Sequence, residues 1–223
     1  MSNKKEKQNK IYFTDNHNRN NNDEIFIVKL LVVGDSEVGK SNIIYRYTKE
    51  QFSTINASSA GFEYNVKELE ITDKKILVQL WDSAGQEKYR TITKNLFTRV
   101  QGIIIVYDIT NRSSFENIPK WIKLIKETND KIPYVIAGNK CDLDKLRVVA
   151  EDEAQKFSFD NKIDLYETSA KQNINIIECI NNFVQKIVNS ESFNQSLSLT
   201  AFSLQNISTS SNKNDINKSE RCC

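Results

Sequence analysis

The sequence predicts an α/β domain: a mostly parallel six-stranded sheet with one antiparallel strand, flanked by about five helices. Three observations carry this. Apolar runs of strand length alternate with helical patterns between residues 25 and 188. Two early runs are separated only by Thr72-Asp73-Lys74, a turn signal that marks a hairpin. Four polar stretches with glycine, serine or lysine each follow directly on a strand, where open α/β sheets bind ligands.

Taken in order, residues 1–24 are rich in Asn, Lys and acidic residues and lack apolar periodicity, so a disordered arm is expected, with the lone His17 solvated in it. Residues 25–33 form a buried strand broken only by Lys29, and 42–49 a helix. Small polar residues from Phe52 to Ala60 read as a loop. Residues 63–71 and 76–81 are the two arms of the hairpin, and 102–107 (GIIIVY) is a strand buried on both faces. Ser113 and Glu116 offer a capping box for a helix running to about Thr128, with Pro119 in its first turn or so. A strand at 134–137, a helix at 150–159 and a strand at 163–166 follow. The closing helix, 174–188, places Ile177, Ile180, Val184, Ile187 and Val188 on one face. From Asn189 onward Ser and Asn dominate, and 189–223 is expected to be a flexible tail.

Composition narrows the function classes. A formal net charge of +2 gives no strong field for nucleic acid or a membrane surface. No secretory apolar segment and no membrane-length apolar run is present. The 4 cysteines, Cys141, Cys179, Cys222 and Cys223, form no disulfide spacing, which fits a reducing, cytosolic compartment.

The chemistry is concentrated in the four post-strand stretches. The first is Gly34-Asp35-Ser36-Glu37-Val38-Gly39-Lys40-Ser41, or G-x-x-x-x-G-K-S between a strand and a helix. Its glycines, two of only 6 in the chain, let successive N–H groups point at one anion, and the helix N-terminus adds its dipole. Lys40 is placed to reach β/γ phosphates and the Ser41 hydroxyl to ligate Mg²⁺. The second, Asp82-Ser83-Ala84-Gly85-Gln86, reads alone as a turn. After a phosphate loop it offers a metal-holding carboxylate (Asp82), a backbone N–H for a γ-phosphate (Gly85) and a water-orienting amide (Gln86). In the third, Gly138-Asn139-Lys140-Cys141-Asp142, the Asp142 carboxylate can accept from guanine N1–H and the 2-amino group, a donor pair that adenine lacks. The Lys140 stem can lie over the base. In the fourth, Thr168-Ser169-Ala170-Lys171, backbone N–H groups of Ser169, Ala170 and Lys171 can face the base.

As a set, these stretches resemble a Ras-superfamily small GTPase, and their wording is most similar to the Rab family. GDSEVGKS, WDSAGQEKYRTIT, GIIIVYDIT, GNKCDL and ETSAK carry the likeness across about three quarters of the chain. The resemblance implies a P-loop NTPase with a Ras-like G domain over 25–188, binding GTP or GDP with Mg²⁺. By position, it implies that Asn42 also contacts nucleotide and that Phe52, 11 residues after Ser41, packs edge-on against guanine. Ser59, 18 residues after Ser41, takes the place of the threonine that binds Mg²⁺ and the γ-phosphate. Gly61, Phe62, Glu63 and Tyr64 correspond to an effector-binding stretch. Cys222-Cys223 resembles a double-cysteine ending that is geranylgeranylated.

The implied activity is a switch of vesicle trafficking that hydrolyses GTP slowly, with Gln86 and Lys40 as its catalytic residues. The implied partners are an exchange factor, a GTPase-activating protein supplying an arginine in trans, effectors, and prenylation and extraction chaperones. A monomer is expected, held by its lipid on the cytoplasmic face of intracellular membranes with a cytosolic pool, and without nucleic acid. The chain departs from the pattern at Glu37, at Ser59-Ala60-Gly61 and at Leu96-Phe97-Thr98-Arg99-Val100. Glu37 and Ser59 motivate one alternative, a nucleotide-binding scaffold that does not cycle.

Overall fold

The computed structural model describes residues 25–52, 64–83, 96–191 and 193. The expected N-terminal arm and nearly all of the expected tail lie outside these. Six strands form one sheet: β1 (Ile25–Gly34), β2 (Tyr64–Ile71), β3 (Lys74–Asp82), β4 (Gly102–Asp108), β5 (Tyr134–Asn139) and β6 (Leu165–Glu167). Their order is β2-β3-β1-β4-β5-β6. Among the described strands, only β2 and β3 pair antiparallel; the other strand pairings are parallel. The hairpin turns on Thr72 and Asp73, both with positive φ (50° and 62°), the twist-matching geometry of a two-residue connection.

The core divides by strand alternation. Along β1, Leu30 and Val32 point to one face and Leu31 and Val33 to the other. The first face carries α1 (Lys40–Lys49) and α5 (Ile176–Val188), which contribute Ile43, Tyr47, Phe183 and Val184. The second carries α2 (Arg112–Glu116), α3 (Ile118–Thr128) and α4 (Glu151–Asn161), with Phe115, Ile122, Ile125 and Ala154. All seven residues of β4 are buried, as expected for a β-branched central strand covered on both sides. Gly102 opens that strand because Phe183 and Ile187 come within 2.7 Å of where a Cβ would stand. Phe193, five residues beyond α5, is buried against the first cluster, within what the sequence reads as tail.

Three local expectations are corrected. The Ser113–Glu116 capping box does not form. The N-cap is Asn111, whose extended backbone (φ −128°) lets its side chain accept from Ser114 N–H at 3.3 Å. The single expected helix is two, α2 and α3, meeting at Asn117. Pro119 supplies no N–H and its ring would crowd the carbonyl of Phe115, so the helix restarts with Pro119 in its first turn. On α5, Ile177 is not part of the apolar face. Ile176, Ile180, Phe183 and Ile187 make its centre, and Ile177, about 100° round from Ile176, is 39% exposed. Cys179 is buried on this helix, and burial pushes its thiol up to about 12, so it is packing rather than reactive.

Candidate functional site

The site lies along the carboxyl ends of β1, β3, β4 and β5. Gly34 ends β1 at φ +143°, and Gly39 precedes α1 at φ +98°. A Cβ on Gly39 would stand 2.3 Å from Asn139 Nδ2, so the loop and β5 approach as closely as glycine allows. No side chain caps the N-terminus of α1 and no acidic residue occupies its first turn, so the positive end of its dipole suits an anion. Lys40 is buried, and its ammonium folds back over the loop to donate to Gly34 O at 3.0 Å and Asp35 O at 2.7 Å. Ser41 Oγ donates to Asp82 Oδ2 at 2.6 Å, which joins the first turn of α1 to the end of β3. Ser83 Oγ donates to Val32 O at 2.7 Å and anchors the next residue to β1. Two hard oxygen donors this close fit Mg²⁺, which is typically held by one or two protein oxygens together with phosphates and water.

Glu37 has φ +66° and is exposed. The left-handed backbone costs a residue with a Cβ about 1–2 kcal/mol. A carboxylate beside a phosphate anion is unfavourable unless it faces solvent, and the exposed Glu37 can do so.

Asn139 ties the parts together. Its Nδ2 donates to Val38 O at 2.9 Å, while its Oδ1 accepts from Ala170 N–H at 3.3 Å and Thr168 Oγ at 3.5 Å. One buried amide thus links the phosphate loop, β5 and the 168–171 loop. Asp142 Oδ1 accepts from Ser169 Oγ at 2.6 Å, which orients the carboxylate, and Ser169 Oγ in turn accepts from Gln172 N–H at 2.9 Å. Arg46 on α1 donates to Ala170 O at 2.8 Å and Lys171 O at 3.2 Å. Among the remaining expected residues, Ser36 is exposed, Val38 is buried and Asn42 is half-buried in α1. Phe52 is half-buried against the core cluster under α1. Tyr64 opens β2 and stacks on Trp81, centroids 4.9 Å apart. Ser59, Gly61, Phe62, Glu63, Gly85, Gln86, Cys222 and Cys223 lie outside the described residues.

The structure adds residues that the sequence reading missed. Asp108, buried at the end of β4, pairs with the Lys140 ammonium at 2.6 Å and accepts from Thr110 N–H and Oγ at 2.8 and 2.7 Å. An acidic residue ending a strand is the signal that singled out Asp82, and it applies equally to Asp108. Arg147 grips Glu167 with two bonds, at 2.5 and 2.8 Å, bracing the turn after Asp142 against the end of β6. Asn117, at the α2–α3 junction, and Trp121, on α3, both reach Asp35. No local pattern announces these last contacts.

The fold and this arrangement define a P-loop NTPase of the G-domain type. The Ras family model matches residues 29–189. Ras-related protein Rab-10 of Diplobatis ommata is 43% identical over 151 residues, spanning 67% of this chain and 76% of the relative. Rab-8 of the same organism is 42% identical over 154 residues (69% and 73%), and Rab-13 of Rattus norvegicus 39% over 163 residues (73% and 80%). The chain belongs to the Ras family, as a small GTPase of the Rab type: a switch in vesicle trafficking that binds GTP and hydrolyses it to GDP.

Proposed function

We propose that the switch works through the residues gathered around the phosphate loop. Lys40, held over the carbonyls of Gly34 and Asp35, has a third N–H to meet the β and γ phosphates, while backbone N–H groups from Gly34 to Ser41, with Asn42 behind them, cradle the anion. Ser41, Asp82 and Ser59 would hold Mg²⁺, which when bound would balance the phosphate charge. Asp142 selects guanine, the Lys140 stem covers the base under the hold of Asp108, and Ser169, Ala170 and Lys171 close its far side. Phe52 meets the base edge. The single observation that best supports this reading is the Ser41–Asp82 contact at 2.6 Å, with the buried Lys40 ammonium one residue before Ser41.

For hydrolysis, Gln86 orients the attacking water and Gly85 N–H holds the γ-phosphate. Loss of that phosphate releases Ser59 and Gly85, and the surfaces around residues 51–64 and 83–99 relax away from effectors, including Gly61, Phe62, Glu63 and Tyr64. An exchange factor and an activating protein with its own arginine set the cycle, the arginine adding about 10³–10⁵ in rate. Cys222 and Cys223 carry two prenyl chains, delivered and extracted by chaperones. Two chains suffice to hold the protein on the cytoplasmic face of a membrane where one is marginal.

Single-turnover GTP hydrolysis with and without Mg²⁺ tests the cycle. Activator-stimulated hydrolysis is expected to require Mg²⁺ and to fall about a hundredfold in Gln86→Leu, with GTP binding retained. Unchanged stimulated turnover in that variant removes Gln86 from the mechanism. Intact-mass measurement on protein from its own cells tests the anchor: two added isoprenoids are expected, and unmodified thiols exclude it.

A further inference from the structure

The phosphate loop holds two carboxylates, and the structure disposes of them differently. Glu37 is exposed, but Asp35 is held. Its backbone carbonyl accepts from the Lys40 ammonium at 2.7 Å. Its side chain is engaged at both oxygens from the start of α3: Asn117 Nδ2, at the α2–α3 junction, donates to Oδ2 at 2.6 Å, and Trp121 Nε1 donates to Oδ1 at 3.2 Å. Asn117 and Trp121 are one helical turn apart and so present their donors on the same side. The Asn117 amide has a defined orientation, because its Oδ1 accepts from Lys120 Nζ at 2.6 Å. Turning the amide over would set its NH₂ against that ammonium. The break between α2 and α3 puts Asn117 at the junction, where its carbonyl accepts from Lys120 and Trp121 N–H at 3.0 and 3.2 Å.

A carboxylate free to swing within a phosphate cradle opposes the anion the cradle is built for. Two neutral donors on both oxygens prevent the swing without adding a competing cation. The same hold fixes the Asp35 carbonyl, one of the two rests of Lys40. We propose that Asn117 and Trp121 are positioning residues for nucleotide binding, keeping the Asp35 carboxylate out of the phosphate cradle and its carbonyl under Lys40. This rests on the nucleotide reading of the loop given above. It extends the site to Asn117 at the α2–α3 junction and Trp121 on α3, which act on the nucleotide through Asp35.

The test is a cycle of variants of the full chain, read by the equilibrium affinity for GDP and GTP at low and moderate salt. Asn117→Leu combined with Trp121→Phe is expected to weaken GDP binding about ten- to hundredfold, the range for losing bonds to a charged group. The loss is expected to be larger at low ionic strength, where a freed charge repels phosphate least screened. Adding Asp35→Ala to that pair is expected to recover most of the affinity, because the offending charge is gone. Trp121→Phe alone, which keeps a ring in place, serves as the milder second variant and is expected to weaken binding about threefold or more, again recovered by Asp35→Ala. An equal, salt-independent loss with and without Asp35 would mean that α3 matters only through packing, and would overturn the proposal. So would unaltered affinity in both variants. A wild-type protein that bound no guanine nucleotide would instead overturn the underlying reading of the loop, and the proposal with it, before any variant was compared.

Discussion

Replacing Asp142 by Asn is expected to lower the affinity for GTP by about four orders of magnitude, the discrimination available to a site built to hydrogen-bond its ligand. That corresponds to roughly 5–6 kcal/mol. Guanine presents two adjacent donors, N1–H and the 2-amino group, and the carboxylate presents two acceptors. An amide presents one acceptor and one donor, so its NH₂ would face the 2-amino group and both would lose their partners. Xanthine carries an oxygen at that position and restores the match, so the variant is expected to prefer XTP. The side chain is already aimed before any base arrives, because Ser169 Oγ holds Asp142 Oδ1 at 2.6 Å and is itself set by Gln172 N–H. Competition of GTP, XTP and ATP against a labelled nucleotide measures the effect. An Asn variant with undiminished GTP affinity, or a wild type that takes ATP as well as GTP, removes Asp142 from base selection.

Gly34→Ala is expected to destabilise the fold by about 4 kcal/mol or more, a size reserved for substitutions with a specific steric cause. A Cβ there would stand 2.1 Å from the carbonyl oxygen of Val106 and 3.1 Å from its carbon. The obstacle is backbone, not a side chain that can rotate away. Gly34 pairs with Val106 in the parallel register of β1 and β4, the two central strands. With φ at +143°, the added methyl would be strained even in open space. Against a typical domain stability of about 5–15 kcal/mol, such a loss leaves little or nothing. Denaturant titration reads it as a fall in the midpoint. A variant that unfolds at the wild-type concentration shows that the strands can part without cost.

What was legible in the sequence was what is encoded locally. The β-branched run of β4 can hardly be anything but a buried strand. The spacing of Gly34, Gly39, Lys40 and Ser41 places a strand, a loop and a helix at once. Local signals misled where two candidates compete over a few residues. Ser113 and Asn111 both suit an N-cap, and the outcome depends on which one the chain leaves extended. Pro119 marks a helix start or a break, and whether it sits inside a helix or restarts one depends on packing against the sheet. The contacts of Asn117 and Trp121 with Asp35 span 82 and 86 residues of chain, and nothing in either neighbourhood requires the other. Asp108 is the exception, since the reasoning used for Asp82 reaches it and pairs it with Lys140.

The Asn139 amide makes the two ends of the site a single cooperative unit. Its nitrogen donates to the phosphate loop and its oxygen accepts from the 168–171 loop. A partner that pries Val38 from Asn139 also slackens the grip on Ala170, without touching it. Base and phosphates are then expected to leave together in one kinetic phase, so that a catalyst of exchange has only to reach one end.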